Sequence, residues 1–421
     1  MDLTKQMTKL AKDARTASGC IANLPTAKKN SVLKDMAKAL RKNAVKVLSE
    51  NQKDLMNGEQ KGLSTAMMDR LALTEERVNQ MANAIEEVAK LKDPVGQSLK
   101  EWKRPNGLKI SKVSVPLGVV LVIYEARPNV TAECVSLAFK SGNAIILKGG
   151  SEAYFSNKVI SGVFSDVIKK HDIPQGAVSF VNTTERKAVD ALLQLHEYIS
   201  VVIPRGGEGL IRHVVDKSKI PVIKHYKGVC HVFVDESADI TMGENIVLNA
   251  KVQRPGVCNA LETLLVHKKI APEFLPVCAV ALDAKGVELR GCDVTRAILK
   301  DKVKVKRATK QDYAAEFLDL ILAVKVVNSI DEAIEHIGTY GSGHTEAIIT
   351  ESKKSAEKFT QIVDSSAVMV NASTRFSDGN QFGLGAEIGI STDKIHARGP
   401  MGLEGLTSYK YVVKGTGQIR K

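Results

Sequence analysis

The chain is poor in aromatic side chains: Phe, Trp and Tyr make up 5% of 421 residues, and there is one tryptophan. It is nevertheless basic, with net charge +13 and a pI near 9.3. Residues 1–110 hold 21 Lys/Arg against 13 Asp/Glu. Without interleaved aromatics those lysines read as solvated helix faces, and no nucleic-acid partner is expected. No Cys-x-x-Cys pair occurs among the cysteines at 20, 134, 230, 258, 278 and 292, which removes a zinc ribbon and a thioredoxin-type site. The longest apolar run spans 118–124, far short of the roughly 20 residues a membrane helix needs. Met1-Asp-Leu-Thr-Lys-Gln has no apolar core, so no signal peptide and a cytoplasmic location with free thiols are expected. A G-x-G-x-x-G fingerprint and a Walker A loop are missing. Gly383-Leu-Gly385-Ala-Glu-Ile-Gly389 comes near the first, but its third glycine is one residue late. His196-Glu197 opens a zincin pattern that Ser200 breaks, so metal catalysis is not expected.

The composition is that of a globular protein, with 44% hydrophobic and 25% charged residues, and the length suggests two to three folded units. Residues 3–92 read as helical. Leu33, Met36, Ala37, Leu40, Ala44, Val47 and Leu48 repeat at helix spacing. So do Val78, Met81, Ala82, Ile85 and Val88, after a Thr74 N-cap and acidic Glu75-Glu76. Asn106-Gly107 then marks a hairpin between extended stretches at 98–103 and 108–115, with both turn residues expected at positive φ. From residue 118 strands (119–124, 144–147, 177–181, 198–203, 220–223) alternate with helices (130–141, 152–170, 185–195, 206–217), the pattern of a doubly wound α/β sheet. A second α/β stretch has strands at 231–234, 261–266, 324–327 and 347–350, and at 367–370. Its helix at 239–252 ends in the turn Arg254-Pro-Gly256. Residues 371–408 read as Gly-rich loop, and 409–414 as a last strand.

Thiol chemistry is the function this pattern leaves open. Cys258 closes Gln253-Arg-Pro-Gly-Val-Cys258, on a loop between a helix and a strand. Arg254 supplies positive charge that favours thiolate. Cysteine is also among the most buried residue types, so the position alone fits core packing too.

The segments Pro116-Leu-Gly-Val-Val, Arg127-Pro128 and Gly142-Asn-Ala-Ile-Ile-Leu-Lys148, with Cys258 about 110 residues on, resemble the aldehyde dehydrogenase superfamily. Further blocks sharpen the likeness to the branch that reduces γ-glutamyl phosphate. They are Tyr124-Glu-Ala-Arg-Pro-Asn-Val-Thr131, Ile203-Pro-Arg-Gly-Gly207, Tyr340-Gly-Ser-Gly-His-Thr-Glu346, Asn371-Ala-Ser-Thr-Arg-Phe376, Glu387-Ile-Gly-Ile-Ser391 and Arg398-Gly-Pro-Met-Gly402. The resemblance implies NADPH-dependent reduction of L-glutamyl 5-phosphate to L-glutamate 5-semialdehyde with release of phosphate, the second step of proline biosynthesis, through a thioester on Cys258. It also implies an aldehyde-dehydrogenase-like α/β architecture. An NADPH-binding domain would hold 1–97, 118–226 and 365–400, and a catalytic domain 227–364. An arm of 98–117 and 401–421 would pair subunits in a homodimer or tetramer. A separate glutamate 5-kinase would supply the acyl phosphate, with direct contact as one expectation.

The likeness assigns further residues. Oxidising relatives carry an asparagine where Ala126 stands here, so Asn129 is the candidate oxyanion donor, with a helix cap as its equal alternative. His225 stands where those relatives carry the glutamate that activates water. A reductase gains by losing that base, and His225 becomes a candidate proton shuttle or a structural histidine. Lys148, Gly149, Gly150, Ser151, Gly206, Gly207 and Glu316 are the expected cofactor residues. Arg127, Arg254, His344 and Arg375 are expected to meet the substrate's anionic groups. Two rivals remain at this point: an NAD-dependent aldehyde oxidation, against which Ala126 and His225 argue, and a basic nucleic-acid-binding protein.

Overall fold

The computed structural model describes residues 2–420, apart from the side chains of 65 and 66. The chain forms two compact units. One holds 2–224, 383–390 and 395–420; the other holds 225–382 and 391–394.

The first unit opens with five helices, Leu3–Ile21, Thr26–Lys42, Ala44–Gln60, Thr65–Leu71 and Glu75–Lys90. Their periodicity decides what is buried: Met7, Ala11, Ala14, Ala17 and Ile21 on the first, and Val78, Met81, Ala82, Ile85 and Val88 on the last. Thr74 caps the last helix, its hydroxyl accepting from the Arg77 N–H at 3.1 Å. These helices share a core with a four-stranded parallel sheet of order Val178–Phe180, Ala144–Gly149, Val119–Tyr124, Val201–Arg205. The two central strands are buried at every position, which is why they read as unbroken apolar runs rather than alternating ones. The strand order reverses beside Val119–Tyr124, and open α/β sheets bind ligands beyond the carboxyl ends of strands at such a point.

Two local expectations change. The strand expected at 220–223 shrinks to a single bridge between Val202 and Val222, since Pro221 has no N–H to extend a ladder. In the hairpin Ser98–Lys103/Lys109–Pro116 only Gly107 reaches positive φ, at 90°, and Asn106 does not. The Gly107 N–H donates to Arg104 O at 2.9 Å and the Arg104 N–H to Leu108 O at 2.8 Å, a longer turn closed by a glycine bulge. Thr407–Lys414 pairs antiparallel with Lys109–Pro116, which makes hairpin and tail one three-stranded sheet.

The second unit is built on a seven-stranded, wholly parallel sheet. Its order is Val305–Arg307, Glu288–Gly291, Ile321–Val327, Leu261–His267, Cys230–Val234, Thr345–Ile349, Ala367–Val370. The last of these corrects a boundary. The sequence reading groups 365–400 with the cofactor domain, but Ala367–Val370 pairs with Thr345–Ile349, and that ladder carries the chain through Phe382 into this unit. No helix among the described residues is long and apolar enough to cross a membrane.

Candidate active site

Cys258 sits between two elements whose ends are set by their own sequences. The helix Ile240–Val252 starts at Asp239, whose carboxylate accepts the Met242 N–H at 2.6 Å. It ends before Pro255, which disfavours helical geometry in the residue ahead of it. Three residues after Pro255 comes Cys258, and the strand Leu261–His267 follows. The chain at 228 presses on this loop. A Cβ on Gly228 would fall 1.8 Å from the Cys258 carbonyl oxygen, so no larger residue fits without moving backbone. The Gly228 N–H is held by a Glu316 carboxylate oxygen at 2.8 Å and the Val229 N–H by the Ser342 hydroxyl at 2.9 Å.

These contacts bring together three side chains the sequence separates by 33 and 86 positions. One ring nitrogen each of His225 and His344 and the Cys258 sulfur all lie within 4.8 Å of one another. The two rings meet edge to face, 5.5 Å between centroids. Cys258 is partly exposed and His344 fully buried. Burial pushes the Cys258 thiol up, but the adjacent His344 and His225 outweigh it and hold the thiol well below its usual range. Its neighbour Cys230 is buried without such help and is pushed well up. The Cys230 thiol donates to the Cys258 carbonyl at 3.2 Å. The two sulfurs thus sit in opposite surroundings, one that favours thiolate at 258 and one that favours the neutral thiol at 230. Sequence reasoning missed Cys230 and Gly228, for which only adjacency in the sheet gives a signal.

Arg375 lies in the same unit. Its guanidinium donates to Gln253 Oε1 at 2.8 Å and to Asn259 Oδ1. Burial, then the nearby charge of Arg254, lowers its proton affinity, while Cys258 raises it. Arg254, Arg375 and the thiolate therefore share one electrostatic neighbourhood. Asn259 is not a free oxyanion donor, since its amide donates to Ser377 O at 2.9 Å. Glu316, expected at the cofactor, is pushed up by burial and interacts with Cys258, His225 and His344. His344, expected at the substrate's anionic groups, stands at the sulfur.

The other expected residues belong to the first unit. A cleft there is lined by Tyr124, Glu125, Lys148, Gly149, Gly150, Ser151, Glu152, Thr184, Arg186 and Leu210, at the carboxyl ends of the parallel strands. Lys148 is buried, its ammonium donates to Gly149 O at 2.9 Å, and desolvation lowers its proton affinity. Two expected phosphate donors are already engaged. The Gly150 N–H bonds Tyr124 O at 2.7 Å, and the Gly207 N–H bonds Glu125 Oε2 at 2.8 Å, in the space a Cβ on Gly206 would occupy. Arg186 and Thr184 replace them as groups that can face a phosphate, and the sequence reading missed both. One Glu152 oxygen is buried without a hydrogen-bond partner in the described structure. A carboxylate oxygen so placed suits a ribose hydroxyl, and Lys148 with Arg186 suits phosphate, so the cleft fits a dinucleotide. Asn129 donates to Glu133 Oε1 at 2.8 Å, one turn along its own helix. Arg127 is the N-cap of that helix, after Ala126 at a positive φ of 31°.

The model of the aldehyde dehydrogenase family matches residues 3–291. The chain belongs to the aldehyde dehydrogenase family. Like its other members it is an oxidoreductase. Within that family, the γ-glutamyl phosphate reductase of Geobacter metallireducens is 55% identical over 421 residues, all of both chains. A crystal structure of γ-glutamyl phosphate reductase from Thermotoga maritima superposes with a TM-score of 0.95 at 49% identity, covering 99% of this chain and 100% of that one. The family fold extends to a glyceraldehyde-3-phosphate dehydrogenase from Methanocaldococcus jannaschii solved with NADP, at TM-score 0.70 and 16% identity, covering 98% and 95% of the two chains.

Proposed function

We propose that this chain reduces L-glutamyl 5-phosphate to L-glutamate 5-semialdehyde through a thioester on Cys258, with NADPH as reductant. The observation that carries the reading is the thiol held low by two histidines on a partly exposed loop. A thiolate attacks the acyl carbon, the C–S bond forms, and the bond to phosphate breaks with inorganic phosphate leaving. When bound, the reduced dinucleotide supplies a hydride. Cys258 presents the acyl carbon as a thioester, a good hydride acceptor, and leaves again as thiolate when the C–S bond breaks and the aldehyde forms. His225 and His344 stabilise the sulfur anion at the start and at the end. Arg254 and Arg375 draw the phosphate or the α-carboxylate to the sulfur, their forked donors matching either group. The backbone N–H of Cys258 is the donor proposed for the oxyanion, since the Asn129 amide, the other candidate, is engaged by Glu133.

Lys148, Arg186 and Thr184 would hold the nucleotide end. Lys148 and Arg186 favour a 2′-phosphate, while Glu125 and Glu152 oppose it. Preference for NADPH over NADH therefore rests on the two cations outweighing the two carboxylates. The apolar side chains exposed on the three-stranded sheet, Leu99, Tyr409, Tyr411 and Val413, support a homo-oligomer assembled through that arm. An acyl phosphate hydrolyses readily, which supports prompt supply by a glutamate 5-kinase.

The test is Cys258→Ala in NADPH turnover, with mass spectrometry of the native protein after mixing with acyl phosphate alone. Turnover should fall at least a thousandfold, and the native protein should gain one glutamyl adduct on the peptide bearing Cys258. Turnover retained by the variant, or an adduct elsewhere, overturns the reading.

A further inference from the structure

We infer that Cys258, His225 and His344 also form a binding site for a thiophilic divalent cation of the Zn²⁺ class, and that occupancy reversibly blocks the enzyme. The three ligand atoms lie within 4.8 Å of one another. One thiolate and two imidazoles are a borderline-soft donor set that selects Zn²⁺ and its relatives over Mg²⁺ or Ca²⁺. Three protein ligands leave a fourth position open, as in zinc sites that keep a water.

A second observation points the same way. His344 is fully buried, and its Nε2 has no hydrogen-bond partner in the described structure. Its Nδ1 is held by the Thr345 hydroxyl at 2.8 Å. A ring fixed through one nitrogen with the other left for a ligand is the usual arrangement of a metal-binding histidine. Zn–S near 2.3 Å and Zn–N near 2.0–2.1 Å put tetrahedral ligands about 3.3–3.6 Å apart. The trio therefore has to close by roughly an ångström, within reach of side-chain rotation at His225, which lies outside helix and strand. Glu316, coupled electrostatically to all three ligands, offsets part of the added charge. Arg375, which senses the same sulfur, opposes it. The metal and the acyl group need the same sulfur lone pair, so they exclude each other.

Binding rests only on this geometry; the block rests in addition on Cys258 being the nucleophile. Binding is tested with Co²⁺ as an optical probe on the full chain, without turnover. One Co²⁺ per chain should give a thiolate-to-cobalt charge-transfer band, which Zn²⁺ displaces and a chelator removes. Cys258→Ser should abolish the band, and Cys20→Ser should keep it. His225→Gln and His344→Gln should each weaken Co²⁺ binding at least tenfold. If the buried His344 variant fails to fold, His225→Gln carries the test alone. No band in the native protein, or an unchanged band in Cys258→Ser, overturns the site. For the block, one equivalent of Zn²⁺ should cut turnover at least tenfold, Mg²⁺ should not, and the chelator should restore it. Turnover unchanged with the site filled overturns the block and leaves the site standing. Failure of the thioester reading shows separately, as turnover retained by Cys258→Ala.

Discussion

The proposed nucleophile is set apart by its neighbours rather than by its own position. Six cysteines share the chain, and burial pushes three of them up: Cys134 to about 12, and Cys278 and Cys230 beyond the ordinary thiol range. Cys258 alone is both partly exposed and held low. Iodoacetamide at one equivalent near neutral pH should therefore label Cys258 first, read by peptide mass spectrometry. Preferential labelling of Cys20 or Cys292 would contradict the assignment. Gly228 is the second decisive position, because its missing side chain lets the 225–228 segment lie on the Cys258 carbonyl. Gly228→Ala places a methyl group into that backbone. Overpacking of this kind costs about 1–3 kcal/mol, and the displaced His225 should lower kcat at least tenfold. Thermal unfolding and steady-state kinetics together check both effects, and an unperturbed kcat would detach His225 from the sulfur's chemistry.

The helix Ile240–Val252 and the strand Leu261–His267 flank the Cys258 loop, and a buried ion pair ties them together. Lys251 Nζ donates to Glu262 Oε2 at 2.8 Å with both side chains fully buried, and Glu262 Oε1 accepts the Leu318 N–H at 3.1 Å. Desolvation pushes Glu262 up to about 7 and Lys251 down, so the pair is coupled and neither partner is stable alone. Lys251→Met should cost about 3–5 kcal/mol, because it strands a buried carboxylate. Adding Glu262→Gln should recover most of that loss, since the amide oxygen still accepts from Leu318. Urea unfolding of the two singles and the double measures the coupling, and additive losses would refute it. None of this is visible in the sequence, where Lys251 reads as a solvated helix residue. What the chain does reveal are elements with one strong period: the early helices, whose apolar positions recur every three or four residues, and the central strands, whose runs are wholly apolar. The helices Ala271–Asp283 and Asp293–Leu299 do not stand out in that way, whereas Ile330–Tyr340 does, with Ile330, Ala333, Ile334 and Ile337 at helix spacing, and the sequence reading passed over it. The first is apolar around most of its surface and carries Pro276, and Asp293–Leu299 spans only two turns. Cys258 was legible because turn chemistry and family-like blocks converge on it. Arg186, Thr184 and Cys230 were not, since only parallel pairing brings them to their sites.

Stability of the whole chain should depend on pH through a histidine the proposed chemistry does not use. His336 lies in the helix Ile330–Tyr340, 3% exposed, against the rings of Tyr313, Tyr340 and His231. The titratable and charged groups facing it are His231, itself hydrogen-bonded to Glu346, together with Lys325 and Glu332. Burial, then His231 and Lys325, push His336 down to about 3, and Glu332 opposes them only in part. The folded chain therefore leaves this ring neutral where the unfolded chain, titrating near 6.5, takes up a proton. Below pH 6.5 the unfolded state binds more protons, so stability falls as pH falls, at up to about 1.4 kcal/mol per pH unit until pH nears 3. By pH 5 this one group should have removed about 2 kcal/mol. The net charge of +13 at pH 7 grows as carboxylates protonate, and self-repulsion adds to the loss. The two contributions separate in His336→Phe, which keeps an aromatic ring among aromatic rings but cannot titrate. Urea unfolding at pH 7.5, 6 and 5 should show a shallower decline for the variant than for the native chain, by about 2 kcal/mol across that range. Parallel declines would assign the acid sensitivity to overall charge and leave His336 as packing alone.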